Sequence, residues 1–233
     1  MAAIVGLVIF PGACQHSSTR GKGTAPKAEE VTFSTRDGGL IHGNLSGKRS
    51  HAVVLVHGGR FNKESWADQT RVLTQAGMSV LAIDLRGYGK SQGGNQSNDE
   101  WEGYALDVLG AVRFLHEHGL ERVSVVGGSM GGWAAARASV LANEGEIDRL
   151  VLISHSSIEQ PQLMKGRKLF ISSEQDPFAD GSYRLRDIRE QYERAPEPKE
   201  LLVVEGDAHG QNIFGTPEGD LMLGWIVKFL TGE

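Results

Sequence analysis

Cysteine is almost missing from this chain. Cys14 stands alone, so no internal disulfide can form and a Cys/His zinc cluster is excluded. Basic excess is missing too: 24 Lys and Arg face 29 Asp and Glu, a formal net charge of −5. Without a basic block or an aromatic-spaced basic stripe, nucleic acid is not an expected partner. The N-terminal apolar run AAIVGLVIF has only nine residues. A helix that spans a bilayer needs about twenty, so this run is too short for one. Repeats, long biased tracts and signs of a second folded domain are also lacking.

What is present suffices for a packed core: hydrophobic residues make up 39% of 233 and charged residues 23%. That length suits one large α/β domain or two small ones. Residues 1–30 stand apart as a signal-like segment and flexible linker: the apolar run, then Pro-Gly-Ala-Cys, then a polar stretch rich in Ser, Thr, Gly and Lys. Small residues before a lone cysteine match a bacterial lipoprotein signal. Cys14 would then carry the lipid, and the protein would be exported and held at a membrane. Two features depart from that pattern: no Lys or Arg precedes the apolar run, and Pro11 occupies a position usually small or branched. A start placed too late would account for the first. The alternative is a frayed cytoplasmic tail with an idle cysteine.

From residue 31 to 233 the chain alternates. EVTFSTRDGGLIHGNLSG has strand-like runs on both sides of Asp37-Gly38-Gly39, a hairpin signal. HAVVLVHGG is a continuous apolar run, as in a strand buried on both faces. Strand-like MSVLAIDLRG, RVSVVGG, IDRLVLISHS, RKLFISSEQD and KELLVVEGDAH follow. Helical patterns separate most of them, clearest in NDEWEGYALDVLGAVRFLHEHG, where Trp101, Tyr104, Ala105, Val108, Leu109, Val112 and Leu115 recur at helical spacing. Strands alternating with helices imply βαβ units and a mostly parallel central sheet flanked by helices on both faces, an α/β domain.

Two glycine clusters in the middle of the chain invite a phosphate-loop reading and fail it. Gly89-Lys90-Ser91 ends like a phosphate loop, but Asp84 stands where that motif needs its first glycine. Gly87-Tyr88-Gly89 begins a dinucleotide fingerprint, but its third glycine position holds Gln92.

Gly127-x-Ser129-x-Gly131 is more informative. With 31 glycines in the chain the bare pattern is weak evidence; it arises by chance roughly 0.3 times in such a composition. Its context is a strand ending in Val-Val and a helix starting near Met130. A serine at a sharp strand-to-helix turn holds its hydroxyl above the sheet edge, and the amide of the next residue, Met130, faces where an oxyanion would form. A serine hydroxyl needs a base, and the base an orienting carboxylate. Asp176 and His209 each follow a later strand, so the three groups fall on one rim in the order Ser, acid, His. Asp180 and Asp207 are rival acids. His57 reads as structural and His155 as a candidate pocket residue. His42, His51, His116 and His118 read as surface residues, and the four tryptophans as packing aromatics.

VVLVHGG (53–59), VLAIDLRGYGKSQG (80–93), VVGGSMGG (125–132), LFISSEQDPF (169–178) and VEGDAHG (204–210) together resemble the α/β-hydrolase fold enzymes over residues 31–233. In detail the chain is similar to the small, lid-poor members related to dienelactone hydrolases and simple esterases. The resemblance implies Ser129 as nucleophile, His209 as general base and then acid, and Asp176 as the partner of the imidazole. It implies an oxyanion hole from the Met130 amide and one amide after His57-Gly58, with Gly59 preferred over Arg60. Dienelactone hydrolases use a cysteine nucleophile; Ser129 here counts against dienelactone as substrate. Only about a dozen residues, SIEQPQLMKGR, separate the strands around 150 and 170, where many members carry a helical lid. The expected function is hydrolysis of a small-molecule carboxylic ester or related acyl compound, with no metal and no organic cofactor. The alternatives are a thioesterase or peptidase with the same triad, a haloperoxidase-like or acyl-transfer side activity, and a binding protein that keeps the fold without turnover.

Overall fold

The computed structural model describes residues 27–94 and 100–232. Cys14, with the lipid-anchor reading it carries, lies outside them. Eight strands run in chain order: β1 (Glu29–Ser34), β2 (Leu40–Ser46), β3 (His51–Val56), β4 (Ser79–Ile83), β5 (Arg122–Gly128), β6 (Arg149–Ile153), β7 (Arg167–Ser173) and β8 (Lys199–Val204). They form one sheet in the order β1-β2-β4-β3-β5-β6-β7-β8. The hairpin β1–β2 is antiparallel and joins the edge of β4 antiparallel; β4 through β8 are parallel. This is the α/β-hydrolase fold.

The helices are α1 (Ala67–Gln75), α2 (Glu100–Glu117), α3 (Met130–Leu141), α4 (Arg184–Arg194) and α5 (Gly219–Thr231). Period-two alternation along buried strands divides the core. On β3, Ala52, Val54 and Val56 pack with α2, α3 and α4, while Val53 and Leu55 pack with Leu73 of α1 and with Met222, Ile226 and Phe229 of α5. A strand covered on both faces needs apolar residues at every position, hence the unbroken VVLV. Each fully buried Val or Leu side chain contributes roughly 1.5–3 kcal/mol.

Arg86, in the loop after β4, ties the hairpin to α2. Its Nη1 donates to Asp37 Oδ2 at 2.7 Å and its Nη2 to Asp107 Oδ1 at 2.7 Å. Arg86 holds the Asp37 carboxyl at about 2. Burial outweighs the same guanidinium at Asp107 and pushes that carboxyl up to about 6.

Residues 154–166, between β6 and β7, contain only a single 3-10 turn at Pro161–Leu163. Trp66 is fully buried, whereas Trp101 is 49% exposed and packs edge-on against Trp133. His42, His51 and His116 are half-buried rather than superficial. His51 Nε2 lies 3.0 Å from Ser124 Oγ, and the His116 ring bonds the carbonyls of Leu120 and Glu146. Short-range pattern could not show this for His51 and His116, because Ser124 and Glu146 lie 73 and 30 residues away.

Candidate active site

Chain order reverses direction across the sheet between β3 and β5, the switch point where α/β sheets open a crevice. Loops from the carboxyl ends of β3, β5, β7 and β8 meet there. Ser129 follows β5 directly, with φ 54° and ψ −117°. A serine in this region stores about 1–3 kcal/mol of strain. Its amide donates to Ile153 O at 2.8 Å and its carbonyl accepts from Trp133 N at 3.0 Å, so β6 holds the turn and α3 starts at once. The flanking glycines are needed for contact rather than freedom. A Cβ on Gly127 would lie 2.3 Å from Gly131 O.

His209 lies just past β8, before a 3-10 segment at Gly210–Gly215. Its Nε2 is 2.7 Å from Ser129 Oγ and its Nδ1 is 2.8 Å from Asp176 Oδ2. A carboxylate only accepts, so Nδ1 carries the proton and Nε2 presents a lone pair to the serine hydroxyl. Ser173 Oγ donates to Ala208 O at 2.6 Å and fixes the peptide before His209.

Asp176 is fully buried. Its carbonyl accepts from Arg184 N at 2.9 Å, and Arg184 Nε lies 3.4 Å from its second carboxylate oxygen. The Arg184 guanidinium in turn sits 4.1 Å over the Phe178 ring. The rival acids are placed elsewhere. Asp180 accepts from Ser182 N and Oγ at 2.9 and 2.6 Å, and Asp207 is exposed.

The loop after β3 comes against this turn. The Gly58 amide is already committed, donating to Gln211 Oε1 at 2.8 Å. The Gly58 carbonyl accepts from Phe61 N at 3.0 Å and from His57 Nδ1 at 2.8 Å. The Gly59 amide, on the opposite side of that trans peptide, has no partner among the described residues. A Cβ on Gly59 would lie 3.7 Å from Met130 Sδ, so Gly59 borders the Ser129 turn. Tyr88 Oη donates to Gly59 O at 3.0 Å and steadies the next peptide. His57 is fully buried, and its Nε2 accepts from Leu85 N at 3.1 Å. Burial pushes its pKa down, and the Leu85 amide facing Nε2 requires the neutral ring.

His155, a candidate pocket residue by its place after β6, lies in the core. It is 2% exposed, its ring packs 5.5 Å from that of Phe170, and neither ring nitrogen has a hydrogen-bond partner among the described residues. Burial drives its pKa down to about 4 from 6.5. A histidine with a depressed folded pKa contributes stability that is present above 6.5 and lost as pH falls through 4. The expected loss is about 3 kcal/mol across that window. Asp107 works in the opposite sense near pH 6, and Asp37 contributes only below about 4. The check is therefore the difference between wild type and His155→Leu in Tm from pH 7 to 4.5: the variant should show the shallower fall. Identical slopes would remove His155 from the acid response.

Sequence reasoning missed Gln211, Tyr88 and Arg184. Gln211 and Tyr88 act across 153 and 29 residues of chain, outside any local window, and Arg184 reaches back to Asp176 with no pattern that marks it.

A family model described as serine aminopeptidase, S33, matches residues 47–170, which contain Ser129 but not Asp176 or His209. A 2-hydroxy-6-oxononadienedioate/2-hydroxy-6-oxononatrienedioate hydrolase of Cupriavidus pinatubonensis is 32% identical over 157 residues, 64% of this chain. The match spans about half, 52%, of that relative's length. An AB hydrolase superfamily protein of Bacillus subtilis is 28% identical over 195 residues, 78% of this chain and 67% of its own. Among solved structures, an esterase of Pyrococcus furiosus superposes with a TM-score of 0.74 at 21% identity, covering 89% of this chain and 93% of its own. At that identity the likeness speaks for the fold alone.

Proposed function

We propose that this chain, which belongs to the serine aminopeptidase S33 family of α/β-hydrolase fold hydrolases, cleaves a carboxylic ester or related acyl compound through an acyl-enzyme on Ser129. One observation carries the reading: the buried Asp176 carboxylate, the His209 ring and the Ser129 hydroxyl form a continuous line of two hydrogen bonds, 2.8 and 2.7 Å long. In this reading Ser129 Oγ attacks the acyl carbon while His209 Nε2 takes its proton. The carbonyl oxygen becomes an oxyanion facing the Met130 and Gly59 amides and the N-terminal end of α3. The tetrahedral intermediate collapses, the C–O bond to the alcohol breaks, and His209 returns the proton to the leaving oxygen. Water then attacks the acyl-enzyme with His209 as base, releasing the acid and restoring Ser129. Asp176 holds the imidazole in the Nδ1–H tautomer and stabilises the imidazolium.

The short connection over residues 154–166 supports small or exposed acyl groups. A fluorophosphonate probe tests the reading directly. One adduct per chain on Ser129 is expected, formed more slowly when excess p-nitrophenyl acetate competes during labelling. An unlabelled Ser129 would favour the non-catalytic binding protein. The family's description favours a second reading, peptide-bond cleavage by the same triad. Amino-acid p-nitroanilides turned over faster than p-nitrophenyl esters of two to eight carbons would select it.

A further inference from the structure

Gln211 links the two loops on which the proposed chemistry depends. It stands two residues past His209, is 8% exposed, and points back under the loop after β3. The Gly58 N–H can only donate, so the side-chain oxygen must face it, 2.8 Å away. The side-chain nitrogen donates to Ser65 Oγ at 2.9 Å. Ser65 Oγ can accept because its own proton goes to Asn62 O. The Gln211 Cγ lies 3.2 Å from where a Cβ on Gly128 would be, against the strand end that delivers Ser129. One side chain thus touches the loop after β3, the 3-10 turn at Lys63–Trp66 and the nucleophile turn, and its backbone continues from the base.

The consequence concerns peptide orientation. Gly58 is flanked by two peptide planes. Gln211 holds the first through Gly58 N; His57 Nδ1 and Phe61 N hold the second through Gly58 O. The second plane carries the Gly59 amide. With both planes fixed, Gly59 N–H has one direction; with the first released, only the two bonds at Gly58 O hold the second, at a residue without a side chain to limit its tilt.

We propose that Gln211 is a positioning residue for the oxyanion site: it locks the Gly58 turn to the His209 loop, so that the Gly59 amide and the base keep a fixed mutual geometry. The inference rests on the serine-hydrolase reading above. It predicts an effect on the transition state rather than on substrate binding, because the developing oxyanion needs the aligned donor more than the ground-state carbonyl does.

The test uses Gln211→Met, which keeps the length and the packing on Gly128 but removes both bonds, and Ser65→Ala, which removes only the distal anchor. Three readouts are compared with wild type: kcat and KM on p-nitrophenyl acetate, the second-order rate of fluorophosphonate labelling, and Tm. Gln211→Met is expected to lower kcat about 10- to 100-fold with KM within about three-fold, and to slow labelling in parallel. Ser65→Ala should lower both rates about three- to ten-fold. If Gln211→Met fails to fold, Ser65→Ala carries the decision. Wild-type kcat and labelling rates in the folded variants, with only Tm lowered, would overturn the proposal and leave Gln211 a structural residue. A wild-type protein that does not label at Ser129 would instead bring down the serine-hydrolase reading, and this inference with it.

Discussion

Ser129→Ala is expected to lower kcat/KM on p-nitrophenyl esters by about 10⁴-fold or more, with the fold retained. The substitution removes one oxygen whose only bond among the described residues is to His209 Nε2. The turn itself is held by backbone: Ser129 N to Ile153 O and Trp133 N to Ser129 O. Tm should therefore move little. His209→Gln is expected to cost a similar factor, and Asp176→Asn somewhat less, since the nucleophile and base then survive in a poorly fixed tautomer. The losses should not add. Ser129→Ala/His209→Gln should be no slower than Ser129→Ala alone, because the groups act as one unit. The backbone conformation supplies an independent check. Alanine inherits the φ of 54° that strains serine, whereas glycine occupies it freely. Ser129→Gly should be as inactive as Ser129→Ala yet more stable, by about 1 kcal/mol. A Ser129→Ala protein with undiminished turnover would take Ser129 out of the chemistry.

The sheet was legible because its strands are covered on both faces. VVLV in β3 leaves no polar position to confuse the period, the buried run of β5 is interrupted only at Ser124, and a glycine turn or helical pattern bounds each of them. Strand order was not legible. That β4 sits between β2 and β3 depends on pairings such as Leu45 with Leu81 and Val53 with Val80, which no local window contains. The site divides along the same line. Ser129, Asp176 and His209 are each announced locally, by a strand end followed by a turn. The residues that steady them are not. Gln211 meets Gly58 across 153 residues; such a side chain resembles any surface Gln until the loops are in place. His155 shows the converse. Its position after β6 suggested a pocket residue, but the close approach of α3 at Gly132, where a Cβ would lie 2.8 Å from His155 Cβ, seals it into the core.

Gly131→Ala should be among the most damaging single-methyl changes at the described glycines. Its new Cβ would sit 2.3 Å from Val56 O and 2.5 Å from His57 O, both backbone atoms at the end of a central strand. No rotamer relieves a clash with backbone. α3 must lift away from β3, or the β3 end must bend with the Gly58 turn it leads into. Relief of this kind costs roughly 3–5 kcal/mol, the upper range for one substitution. Activity should fall further than stability explains. Met130 N–H and Gly59 N–H approach from the two elements forced apart, and a displacement of about 1 Å can cost 10²-fold. Gly224→Ala is the matched control. It lies inside α5 with nothing within 4 Å of the added Cβ. Replacing glycine within a helix should raise stability by about 0.5–1 kcal/mol and leave kcat unchanged. Urea unfolding and p-nitrophenyl acetate turnover on the two variants measure both quantities. Opposite signs in stability, with activity lost only in Gly131→Ala, would mean that the third glycine of VVGGSMGG serves helix-to-strand approach. A Gly131→Ala protein as stable and active as wild type would show that β3 and α3 are not in the close contact from which the oxyanion geometry is argued.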